Sequence, residues 1–216
     1  MDKQVIIFDF DGTLYSGDDV FSKIPAHIKK HRREFLPNIT DEQYTQIVKE
    51  NPSWKKAFVG ADIVNHIYEF KKKYPEFNIS IKDFWNSQNL EPDPIVINEN
   101  EIVDAEFMKN LCEKYPVYIV SNSSPVHINF YMEKFGIDPK WFKDVISNRF
   151  TAKDHSKMHY YERIIEKEEC LPENVFVFGD SVISDLKPAK ILGMNACHVT
   201  NSNDIPMLVK NALNIN

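Results

Sequence analysis

Cysteine is scarce in this 216-residue chain and poorly placed for chemistry: Cys112, Cys170 and Cys197 are odd in number, far apart, and form no C-x-x-C pair. Zinc binding and redox-dithiol roles are thereby excluded, and the three read as small core hydrophobes in a reducing compartment. Positive charge is also short. Lys and Arg number 26 against 32 Asp and Glu, giving a formal net charge of -6. The clustered positive field that displaces counterions from a nucleic-acid backbone is missing. The N-terminal apolar run Val5-Ile6-Ile7-Phe8 is far too short for a signal or membrane segment, and no basic stretch or small-residue cleavage site flanks it. The expectation is no nucleic acid, no membrane and a cytoplasmic location. Internal repeats and low-complexity tracts are absent too.

What is present is an ordinary globular composition, 43% apolar and 27% charged, enough to bury a core in one large domain or two small ones. Short apolar, β-branched runs recur at Val5 to Phe8, Val117 to Val120, Val145-Ile146, Val175 to Phe178 and Ala196 to Val199. Runs apolar on both faces fit strands of a parallel sheet covered on both sides, with helices as crossovers. Ser124-Pro125 places a cap residue before a proline at the first helical position, and Ser156 to about Lys167 has helical apolar spacing. The fold class is therefore α/β, a doubly wound parallel sheet.

Residues 16–100 differ, with no convincing buried strand. Thr40-x-x-Gln43 is a capping-box pattern, and Trp54, Phe58, Ile63, Ile67 and Phe70 trace one helical face. The prolines Pro92 and Pro94 mark a return linker. This predicts a core of residues 1–15 and 101–216 with an all-helical insertion, 16–100, between its parts.

The chemistry-bearing residues gather at predicted strand ends. The first strand runs into Asp9-Phe10-Asp11-Gly12-Thr13-Leu14. Ligands of open α/β sheets bind beyond such carboxyl ends, and a turn at Gly12 lets Asp9 and Asp11 face one pocket, one to attack and one to handle protons. The same hexapeptide also reads as a strand closing in an Asp-Gly turn. The second strand ends in Ser121-Asn122-Ser123-Ser124, either donors for an anion such as phosphate or plain helix capping. A later strand ends in Gly179-Asp180-Ser181-Val182-Ile183-Ser184-Asp185, whose carboxylates suit a hard cation such as magnesium or cap the helix that follows. Gathered in one pocket, Asp9, Asp11, Asp180 and Asp185 repel one another unless a divalent cation sits among them. Against a phosphate dianion a lysine completes the balance, with Lys157 preferred and Lys153 the alternative.

In this order, Asp-x-Asp-Gly-Thr, Ser-Asn, lysine and Gly-Asp-Ser-x-x-x-Asp resemble the haloacid dehalogenase superfamily, in its phosphatase branch with a helical cap. The resemblance implies that Asp9 forms an aspartyl-phosphate and that Asp11 protonates the leaving oxygen and then activates water. It implies that Ser121 and Lys157 hold the phosphoryl group, and that Asn122 and Thr13 orient the pocket. It further implies that magnesium is bound by Asp9, the main-chain carbonyl of Asp11 and Asp180, with Asp185 a further ligand or a partner behind them. An acid two residues after the nucleophile favours phosphoryl transfer over dehalogenation, whose halide leaves without a proton. Lys157 departs from the pattern in lacking a following proline. A helical cap implies a small phosphorylated metabolite as substrate. A sugar-phosphate phosphomutase and an idle fold that binds a phospho-ligand are the other readings. The basic run Lys23 to Arg33 reads as a solvated helix face.

Overall fold

A strand buried on both faces can be apolar at every position, and Val5–Phe8 carries that pattern to completion. The computed structural model describes residues 3–17, 97–147 and 157–214, with Thr40, Glu42, Lys72 and Pro75 as isolated positions. Its strands in chain order are β1 (Val5–Phe8), β2 (Tyr15–Gly17), β3 (Ile97–Ile102), β4 (Val117–Ser121), β5 (Asp144–Ser147), β6 (Val175–Gly179) and β7 (Asn195–His198). Its α-helices are α1 (Ala105–Lys114), α2 (Pro125–Lys134), α3 (Met158–Glu168), α4 (Lys187–Ile191) and α5 (Ile205–Leu213).

Five strands form one sheet in the order β5-β4-β1-β6-β7, every pairing parallel. Alternation along β1 divides the core. Ile6 and Phe8 pack with Met108 of α1, Tyr131 of α2 and Val209 of α5. Val5 and Ile7 pack on the opposite face with Tyr161 and Ile164 of α3 and Ala189 of α4. Helices on both faces of a parallel sheet make the doubly wound architecture expected from the apolar runs. The chain proceeds from β1 outward through β4 to β5, then returns to β1's other side as β6. That reversal opens a crevice at the carboxyl ends of β1 and β6, where Asp9 and Asp180 follow their strands.

The expectation of an all-helical insertion over residues 16–100 is corrected at both ends, while that of no buried strand there is not contradicted. Tyr15–Gly17 and Ile97–Ile102 pair antiparallel as a separate two-stranded ribbon. The sequence Ile-Asn-Glu-Asn-Glu-Ile is mostly polar and mostly exposed, so it lacks the buried alternation that betrays a strand. The ribbon sets Gly17 beside Ile97, the two ends of the long intervening segment. The helical face from Trp54 to Phe70, the Thr40-x-x-Gln43 box apart from Thr40 and Glu42, the Pro92–Pro94 linker, the Lys23–Arg33 run and Lys153 lie outside the described residues. Among the described residues no helix is long and apolar enough to cross a membrane.

Candidate active site

Asp9 is the first residue beyond β1, and its amide donates to the Phe178 carbonyl of β6 at 2.9 Å, which ties it to the sheet edge. Its carboxylate accepts from the Phe10 amide at 2.7 Å and meets Lys157 Nζ at 2.7 Å. The same ammonium lies 2.6 Å from Asp185 Oδ1, and both Lys157 and Asp185 are fully buried. Lys157 stands immediately before α3, so the helix start fixes the root of this bridge. Burial works against its charge, but Asp9 and Asp185 outweigh burial and hold its proton more tightly than an ordinary lysine. Asp9 moves the other way: burial first, then the charge of Asp185, raise its proton affinity well above the usual carboxylate range, with Lys157 opposing.

Asp180 precedes and Asp185 lies within a π-helical turn, Val182–Leu186, that leads into α4. Ser181 caps this turn by accepting from the Ser184 amide at 3.2 Å, and Asp185 accepts in return from the Ser181 amide at 3.0 Å. Asp180 is exposed, and its main-chain carbonyl accepts from His198 Nε2 at 2.9 Å. Close backbone approach here requires glycine. Gly12 has φ +72°, and a Cβ on it would stand 2.5 Å from Asp180 Oδ2; one on Gly179 would stand 2.6 Å from the Asp185 Cβ.

Asp9, Asp180 and Asp185 each offer a carboxylate oxygen within 4.8 Å of the others. Three carboxylates against one ammonium leave an excess of two negative charges. A hard divalent cation with oxygen ligands fits both the donor set and that excess. Asp180 responds to the crowding: although one side of it faces solvent, the groups packed around its carboxylate partly strip it of water and, with the charge of Asp185, raise its proton affinity.

Asp11 stands apart from this acidic group. Its Oδ1 accepts from His127 Nε2 at 2.7 Å and from the Tyr15 hydroxyl. Its Oδ2 accepts from Ser123 Oγ, and from Ser121 Oγ at 3.4 Å. Burial alone would raise its proton affinity, yet His127, Ser123 and Tyr15 together hold it well below the ordinary carboxylate range. The four acids are thus not one group: Asp9, Asp180 and Asp185 stand together, while the Asp11 carboxylate is turned to α2, and the ligand role expected of Asp11 belonged to its main-chain carbonyl. Lys157 bridges Asp9 and Asp185, and its one positive charge offsets one of the negative charges gathered here.

Ser121 ends β4 fully buried, and the helix cap behind it is supplied by Ser124, whose Oγ accepts from the His127 amide at 3.2 Å. The capping role thus falls to Ser124, and Ser121 keeps its hydroxyl at the strand end. Asn122 is half-buried beside it. Thr13 is fully buried with its hydroxyl unpartnered among the described residues, inside the turn that returns Leu14 N to Phe10 O at 2.9 Å. Tyr15, Ser123 and His127 were not singled out by the sequence. Their only signal was polar groups spaced on the two segments that flank Asp11 and Ser121.

A family model described as hydrolase, haloacid dehalogenase-like hydrolase, matches residues 3–193. No curated protein matches the chain. Among solved structures it is similar to a mutant of the HAD family enzyme BT-2542 from Bacteroides thetaiotaomicron, in complex with magnesium and inorganic phosphate. The TM-score is 0.59 at 16% identity, with 95% of this chain and 98% of that chain covered. A HAD phosphatase from Thermococcus onnurineus gives a TM-score of 0.57 at 18% identity, covering 91% of this chain and 86% of that one. A 2-haloacid dehalogenase from Pseudomonas syringae pv. Tomato DC3000 gives 0.57 at 12% identity, covering 97% and 99%. At these identities the likeness is one of fold, and the fold houses more than one chemistry.

Proposed function

Because the chain belongs to the haloacid dehalogenase-like hydrolase family, we propose that it is a magnesium-dependent phosphatase that cleaves small phosphate monoesters through an aspartyl-phosphate on Asp9. The observation that carries the reading is the fully buried Lys157 ammonium joining Asp9 to Asp185, with Asp180 alongside. Dehalogenation is disfavoured by Asp11, a second acid at the same edge that a departing halide has no use for.

Asp9 is 11% exposed, enough to meet a phosphorus atom from the open side of the crevice. Its carboxylate oxygen bonds to phosphorus while the ester P–O bond breaks, and the leaving oxygen takes a proton from Asp11. Asp11 then removes a proton from water, the water oxygen bonds to phosphorus, and the bond to Asp9 breaks to release phosphate. In the free protein Asp11 is held ionised by its donors, and the negative charge of an incoming phosphate raises its proton affinity. Lys157 and Ser121 offer donors for phosphate oxygens. Asp9, Asp180 and Asp185 would hold magnesium, which when bound would supply positive charge against the transferring group. By its sequence resemblance the insertion over residues 16–100 is a helical cap of the kind that closes over small substrates and excludes water, so the substrate class proposed is a small phosphorylated metabolite and not a phosphoprotein.

The test is phosphate release from an aryl phosphate. Activity is expected with magnesium, abolished by a chelator and restored by adding the metal back; release indifferent to the chelator would end this reading. A panel of phosphorylated metabolites at fixed magnesium then identifies the substrate.

A further inference from the structure

We propose that His127 and Tyr15 are positioning residues that anchor Oδ1 of Asp11, leaving Oδ2 as the one oxygen that passes the proton to the leaving group. The inference rests on the preceding reading of Asp11 as the proton carrier.

An ionised carboxylate only accepts hydrogen bonds, so the contact at 2.7 Å requires the His127 tautomer that carries its proton on Nε2. Tyr15 donates to the same Oδ1, and its hydroxyl lies 3.2 Å from His127 Nε2. The three groups form a closed triangle. Neither ring is free to leave it, since Tyr15 and His127 are each 1% exposed. Tyr131 lies 4.7 Å from the His127 ring and 5.7 Å from the Tyr15 ring, centre to centre. Phe10 meets both rings edge-on. The imidazole also inherits the start of α2, because the His127 amide is capped by Ser124.

The two carboxylate oxygens are consequently unlike. An imidazole N–H cannot accept, so a hydrogen on Oδ1 would confront a donor at 2.7 Å. At Oδ2 the partners are the hydroxyls of Ser123 and Ser121, which rotate and accept as readily as they donate. Oδ2 can therefore hold a hydrogen without losing its neighbours. Asp11 remains 26% exposed, so one side of it stays open to the crevice. In the transfer the Oδ2–H bond breaks as an O–H bond forms on the ester oxygen, and the electron pair of the breaking P–O bond goes to that oxygen. Water later returns a proton to Oδ2.

The experiment compares kcat/KM for aryl phosphates graded from dinitrophenol, which leaves without a proton, to unsubstituted phenol, which needs one. In Tyr15→Phe and His127→Leu the ratio of phenyl to dinitrophenyl ester should fall roughly tenfold or more below wild type. His127→Gln, which returns an N–H close to the Nε2 position, should recover much of it. Tyr15→Phe keeps its ring packing, so the idea does not hang on the bulkier change. Equal losses for both esters, no loss for either, or glutamine behaving as leucine would overturn the positioning role. Wild-type protein that releases phosphate from no ester would overturn the phosphatase reading itself, an outcome separate from an unchanged ratio in active variants.

Discussion

Replacing Lys157 by methionine is expected to lower folding stability by about 3–5 kcal/mol, the usual consequence of stripping one partner from a buried ion pair. Methionine roughly fills the volume, so the loss is electrostatic. Asp9 and Asp185 would face each other across a site in which Asp185 is fully buried and Asp9 nearly so. For a protein of this size the melting temperature should fall by about 10 °C. Two dependences distinguish this cause from simple cavity formation. Magnesium should restore part of the loss, because a cation among the carboxylates replaces the missing positive charge. Acid should do the same: Asp9 already binds its proton more tightly than an ordinary carboxylate, and Lys157 is what opposes that. Without Lys157 the folded variant takes up a proton that the unfolded chain does not, so its deficit relative to wild type shrinks as pH falls through the raised Asp9 value. Thermal denaturation across pH, with and without magnesium, reads all three. A deficit independent of both pH and metal would remove the electrostatic explanation.

Asp9→Asn is expected to abolish turnover while leaving the fold intact. Asparagine is isosteric and removes a negative charge from a group already crowded with them, so stability should change little. Its amide is no nucleophile, and the fall in kcat should be roughly 10⁴-fold or more, the scale seen when an attacking group is deleted. Steady-state phosphate release, paired with a melting curve, separates lost chemistry from lost structure. Retention of wild-type turnover would mean that phosphorus is attacked by something other than this residue.

Much of the architecture was legible because its physical cause is local. Val5–Phe8, Val117–Val120 and Val175–Phe178 are apolar throughout, and only a strand covered on both faces makes sense of four such residues in a row. Once those strands were placed, Asp9, Ser121 and Asp180 had to sit at carboxyl ends of one sheet, since each follows or closes its strand. The ribbon of β2 and β3 was not legible: Ile97–Ile102 is mostly polar, and its pairing with Tyr15–Gly17 depends on residues eighty or more positions away. The direction of the Asp11 carboxylate was hidden for a similar reason. It is set by His127 and Ser123, 116 and 112 residues distant, and by the rotational phase of α2. Residue order carries no record of that phase. Lys157 was readable as a positive charge near the site, yet its distances to Asp9 and Asp185 follow from where α3 begins, which spacing alone could not fix.

A phosphoryl group passing through Asp9 is the step on which the account turns, and chemical trapping observes it directly. Wild-type protein turning over an aryl phosphate with magnesium would be quenched with borohydride, which reduces an acyl phosphate but not a free carboxylate, and its peptides examined by mass spectrometry. Homoserine at position 9, dependent on both substrate and metal, is the predicted result. Active turnover with Asp9 unreduced and the trapped group on another residue would contradict it.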